Sequence, residues 1–163
     1  MRPSISHAVQ ALAAGAFIAP ALMVLLLAAA PRAQAHESAT GVVKERMEAM
    51  KDLGRAMKEM GAMVKGQAPL AADRIQANGR MIAEHAARIP ALFPAGSGHA
   101  PSEALPAVWT DRARFEGLAA DLGTAARALE AAAATGQKGP VAKAFRGTGQ
   151  VCGACHDGFR QKK

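Results

Sequence analysis

The chain has no tyrosine, one tryptophan and only two cysteines in 163 residues. With rings so scarce, no basic stripe carries interleaved aromatics, and nothing reads as a nucleic-acid surface. A zinc site needs four ligands, usually from two cysteine pairs or from histidines at fixed spacing. Two cysteines make one pair, and His36, His85 and His99 have no matching spacing. β-branched residues are few, and no segment reads as a strand. That removes the βαβ setting a thioredoxin-like dithiol requires. There is no internal repeat, and no constellation of nucleophile, base and acid that would mark an enzyme.

The first 35 residues carry an export pattern. Arg2 is a positive start, Ile18 to Ala30 is apolar, and Ala33-Gln34-Ala35 is a small-x-small cleavage site. An uncleaved anchor is disfavoured, because Gln10 and Pro20 interrupt the longer apolar stretch. The expected mature chain, 36–163, begins at His36 and holds 128 of the 163 residues, enough for one domain. No later segment is long and apolar enough to span a bilayer. The leader takes two of the 20 basic residues and none of the 13 acids. The remainder is 18 against 13, a net charge of +5. Such a mildly basic surface suits acidic proteins or anionic membranes.

An alanine-rich, tyrosine-free chain is helix chemistry. Four segments separate. The first runs from about Ser38 to Lys65, with Val43, Met47, Met50, Gly54, Met57, Gly61 and Val64 on one face. Gly66 and Pro69 stop it. The second runs from about Ala71 to Arg88, with Ile75, Met81, Ile82 and Ala86 inward, and Pro90 closes it. Residues 90–102 form a breaker-rich linker. The third helix is expected after Ser102, with Glu103 in its first turn, through Trp109, Phe115, Leu118, Leu122 and Leu129 to Ala134. The fourth runs from about Val141 to Gln161. Four amphipathic helices predict an all-α, up-down antiparallel four-helix bundle.

Cys152-Gly153-Ala154-Cys155-His156 uses both cysteines in the C-x-x-C-H pattern of covalent haem c attachment. Each thiol can form a thioether with one vinyl group, and His156 can then reach the iron. Spacings of three and four bring all three to one face of the last helix. A bare disulfide would leave His156 unexplained. On the opposite side of the iron, the first helix offers Met47, Met50, Met57, Met60 and Met63. A methionine stripe is ordinarily adaptable core. Met50 stands out, because Gly54 one turn on would let a porphyrin approach the backbone. Arg46 could reach a propionate or pair with Glu45 or Glu48. Arg160, one turn after His156, could do the same or be a solvated helix end. His85 and His99 read as surface residues, and Trp109 and Phe115 as core anchors.

These features resemble the class II c-type cytochromes, the cytochrome c′ family. The likeness rests on C-G-A-C-H-D-G-F-R at 152–160, K-G-Q-A-P at 65–69, and A-V-W-T-D at 107–111 followed by Phe115. It implies the up-down four-helix bundle and admits a homodimer. One branch of the family is five-coordinate, binds nitric oxide or carbon monoxide, and typically has Arg-Gln where this chain has Arg46-Met47. The other is low-spin, with a methionine of the first helix on the iron. Met50-Lys51-Asp52-Leu53-Gly54-Arg55 and I-P-A-L-F-P at 89–94 look like the second branch. Some five-coordinate members also place a non-ligating methionine at the position of Met50. The resemblance therefore implies a periplasmic one-electron carrier with one haem c, His156 proximal and Met50 distal, and the mildly basic surface makes an acidic redox protein its expected partner. The alternative it implies is a gas-binding haem with Met50 merely filling the distal side.

Overall fold

The computed structural model describes residues 39–162. The expected leader and His36 lie outside the described residues. Four long helices form the bundle: α1 (Gly41–Val64), α2 (Ala72–Arg88), α3 (Arg112–Ala134) and α4 (Lys138–Phe159). No strand forms among the described residues, and no helix there is long and apolar enough to cross a membrane.

The turns follow glycine chemistry. At Gly66 the backbone enters the left-handed region, with φ +77°. Gly66 N–H then donates to Met63 O, and Gln67 N–H to Ala62 O, at 3.1 and 2.8 Å. This paired capping satisfies two of the carbonyls that α1 would leave open. Gly136, φ +65°, follows α3 and donates to Ala133 O. Proline at 90 is accommodated because α2 gives way to a single 3₁₀ turn over Ile89–Leu92.

Helix three departs from its expected start. Residues 103–105 are not helical. Leu105 N–H donates to Phe159 O at 2.9 Å, and Gln161 N–H donates to Glu103 O at 2.8 Å. Ala104 and Arg160 form an antiparallel bridge. The end of α4 thus takes the backbone groups that a helix would have used. Pro106, which has no N–H to lose, opens a single helical turn over Ala107–Thr110. Asp111 then breaks it at φ −118°, ψ 52°, before α3 proper. For the same reason α4 ends at Phe159 rather than Gln161. It begins at Lys138, three residues before the expected Val141, with Pro140 in its first turn.

The core stripe of α1 is Val43, Arg46, Ala49, Leu53, Ala56, Met60, Gly61 and Met63. Val43 and Gly61 lie in it as expected, but the rest of the expected face is rotated from it. Met47, Met50 and Met57 are only half-buried, and Gly54 is exposed. Elsewhere Ile75, Ile82, Phe115, Leu122 and Leu129 close the core as expected, joined by Val141 and Phe159 of α4. Thr148 is fully buried and donates its hydroxyl to Ala144 O at 3.1 Å, which removes the cost of burying it. Gly79 brings α2 against α3: a Cβ there would lie 3.1 Å from Ala126 O and Glu130 N.

Candidate functional site

A cavity of about 610 Å³ lies between α1 and α4, closed by part of α3 and by the segment before it. Its size falls within the roughly 300–1,000 Å³ usual for small-ligand and cofactor sites. On the α4 wall are Val151, Cys152, Cys155, His156, Phe159 and Arg160. On the α1 wall are Arg46, Met47, Met50, Leu53, Gly54 and Met57. All six residues singled out from the sequence (Arg46, Met50, Cys152, Cys155, His156 and Arg160) therefore border one space. Of the other methionines, Met60 and Met63 are buried in the core away from it, while Met47 and Met57 line it. His99 and His85 do not. His85 is half-buried rather than at the surface, with its Nδ1 shielded.

Cys152 and Cys155 are free thiols, not joined to each other. Burial pushes both thiols above the ordinary cysteine range, and for Cys155 the neighbouring Cys152 adds to this. Burial and the charge of Arg160 hold His156 below the usual histidine range, against a smaller opposing pull from Asp157. The neutral imidazole so favoured is the metal-ligating form.

Arg46 is not the surface charge its sequence neighbours suggested. It is only 4% exposed. Glu45 pairs instead with Arg88 of α2, and Glu48 with Lys44. Arg46 donates through Nη2 to Ser97 O at 2.7 Å, and its guanidinium carbon sits 4.3 Å from the centre of the Phe93 ring. Its Nε and Nη1 are buried with no partner, and burial lowers its pKa. Two donors left over beside an apolar cavity are a cost unless an acceptor arrives. Arg160, at the other side, donates through Nε to Glu103 at 2.9 Å.

The linker is held firmly. Trp109 Nε1 donates to the carbonyls of Phe93 and Pro94, and Arg112 to those of Phe93 and Pro90. Phe93, Phe115 and Phe159 stack edge to face at 5.0 and 5.3 Å, building an aromatic floor for the cavity. Sequence reasoning missed Phe93, Ser97 and Glu103. Each acts through a partner dozens of residues away, and no local pattern reveals such contacts.

The donor set fits a covalently held haem. Two free thiols and an imidazole share one wall. Methionine sulfurs sit on the other, and two unpartnered guanidinium donors suit a carboxylate. At Gly54 an added Cβ would meet nothing within 4 Å, so the backbone there is open to a flat group.

Comparison with known proteins agrees. A family model described as Cytochrome C' matches residues 41–160. Cytochrome c-556 of Agrobacterium tumefaciens strain B2A is 39% identical over 123 residues, spanning 76% of this chain and 99% of that protein. The solved structure of cytochrome c' from Rhodopseudomonas palustris superposes with a TM-score of 0.71 at 35% identity, covering 77% of this chain and 99% of that one. A nitric oxide complex of a cytochrome c prime variant from Alcaligenes xylosoxidans does so with a TM-score of 0.69 at 34% identity, covering 75% and 94%.

Proposed function

Because the chain belongs to the cytochrome c′ family and so binds haem c covalently, we propose that it is a periplasmic carrier of single electrons, with its iron held between His156 and Met50. Haem supplies a one-electron iron couple. The chain's own residues do the rest. Cys152 and Cys155 anchor the porphyrin as thioethers, and His156, kept neutral, offers its ring nitrogen. Met50 offers a soft sulfur, which favours the ferrous state and raises the potential. Arg46 holds a propionate with its spare donors, while Arg160 stands at the haem edge. Leu53, Phe115, Leu118 and Leu122 keep water out. A coordination sphere closed in both oxidation states needs little rearrangement when an electron passes. Nothing in these roles transforms a substrate, so we read the protein as a carrier rather than an enzyme.

The observation that carries this reading is Met50 on the cavity wall of α1, across from His156 on α4, with the open backbone of Gly54 one turn away. The nitric oxide complex of the Alcaligenes relative supports a second reading, in which Met50 only fills space and a gas binds there. The absorption spectrum of the holoprotein with and without carbon monoxide separates them. The carrier should show low-spin bands and barely respond to the gas. High-spin bands and ready uptake would establish the gas-binding alternative.

A further inference from the structure

The charges of α1 are distributed unevenly. Its four acids are all committed: Glu45 to Arg88, Glu48 to Lys44, Asp52 to Arg55 and Glu59 to Arg74. Glu45 and Glu59 thus lie on the flank that meets α2. Lys51, Lys58 and Lys65 are exposed and form no ion pair among the described residues. They recur every seven residues, two helical turns, so they stand in one row about 21 Å long. Lys51 borders the cavity beside Met50 and Gly54. At the far end of the row, Lys138 of α4 brings its ammonium to within 3.5 Å of where a Cβ on Gly66 would sit. A solvated helix face usually intersperses both signs. Here Lys51 shares a surface hollow with Glu48, Asp52 and Arg55, but those two acids pair with Lys44 and Arg55. Among the described residues, the three ammonium groups of the row therefore keep no ion pair of their own along the flank that leads to the haem cavity.

We propose that the row Lys51, Lys58 and Lys65, extended by Lys138, is the docking surface for an acidic redox protein. This rests on the electron-carrier reading and adds where the partner sits. Positive charge beside the cavity would steer a negatively charged partner to the place where an electron has the shortest way in. A second copy of this chain set row against row would be repelled. A membrane surface is less suited, because the row carries no flanking exposed aromatic or long apolar side chain to insert.

The test uses the reduced holoprotein in stopped flow. It gives one electron to hexacyanoferrate(III), an anion that becomes hexacyanoferrate(II), or to tris(phenanthroline)cobalt(III), a cation that becomes the cobalt(II) complex. For wild type at low ionic strength, the anion should react fast and be slowed by added polyglutamate. The triple variant K51E/K58E/K65E should lose about tenfold or more with the anion and gain with the cation, the scale of electrostatic steering. In high salt, where charges are screened within a few ångströms, the difference should collapse. The milder K51Q/K58Q/K65Q serves if the reversed row perturbs folding, and should lose an intermediate amount. Lys51→Glu should matter more than Arg127→Glu, which changes net charge equally on α3. Equal losses for those two, or rates indifferent to the row, would overturn the docking surface and leave the carrier reading standing. Exchange with neither complex in wild type would overturn both. Row-dependent binding to phosphatidylglycerol vesicles with unchanged exchange would reassign the surface to a membrane. A row-dependent change in sedimentation would reassign it to a second copy.

Discussion

Around Gly79, α2 and α3 meet backbone to backbone, and Met60, Ile75, Leu129, Ala133 and Val141 fill the space with almost no exposure. Around Met50 and His156, α1 and α4 stand apart across about 610 Å³. The first region is closed by small and branched side chains at contact distance. The second is bordered by methionines, an exposed glycine and a buried arginine with unspent donors. One sequence thus contains a packed core that holds the bundle and a wall that is complete only with its cofactor. Mutations in the first region should change stability and leave the spectrum alone. Those in the second should change the haem spectrum or potential, whatever they do to stability.

The largest effect should come from Leu129→Ala. It removes a fully buried side chain from the packed region and should cost about 2–5 kcal/mol in denaturant unfolding of the holoprotein. Its visible spectrum should match wild type. A changed haem spectrum would show that the two regions are not separable. Next is Gly79→Ala. The atoms it meets are backbone and cannot swing aside, so about 1–3 kcal/mol should be lost. Arg46→Ala should cost a similar or smaller amount, about 1–3 kcal/mol, because the Ser97 carbonyl loses its charged donor. Unlike the first two variants it should also shift the reduction potential, since a positive charge leaves the cavity wall. An unchanged potential would place Arg46 with the structural residues. Gly54→Ala is the converse of Gly79→Ala. Within the helix it should be neutral or gain about 0.5–1 kcal/mol, as nothing opposes its Cβ. Its effect should appear in the spectrum, where a methyl group crowds the flat group lying against α1.

Most of the bundle was legible, because helix periodicity and glycine or proline stops are local properties. Both ends of α2 and the stop of α1 fell within a residue of expectation. The beginning of helix three did not, because residues 103–105 are claimed by the end of α4, a pairing no local window contains. Between Val43 and Gly61, the inward face of α1 was misjudged for a related reason. Apolar periodicity skips an arginine and discounts Ala49 and Ala56, yet Arg46 is buried and those alanines are core. The face picked out by its methionines is the one that borders the cavity. The error therefore falls at the haem site, where the helix serves two neighbours at once. That Cys152, Cys155 and His156 share one wall of the cavity was legible, since spacings of three and four on a helix are a local property. The roles of Ser97, Phe93 and Glu103 were not, since each exists only through long-range contact.

The most direct measurement is the far-red absorption of the oxidised holoprotein, where a methionine sulfur on ferric haem iron gives a charge-transfer band, in wild type and in Met50→Ala. The account predicts that the band is present with low-spin Soret and visible bands, and that Met50→Ala abolishes it, turns the spectrum high-spin and admits carbon monoxide. A wild type that is already high-spin, or a Met50→Ala protein that keeps the band, would contradict it.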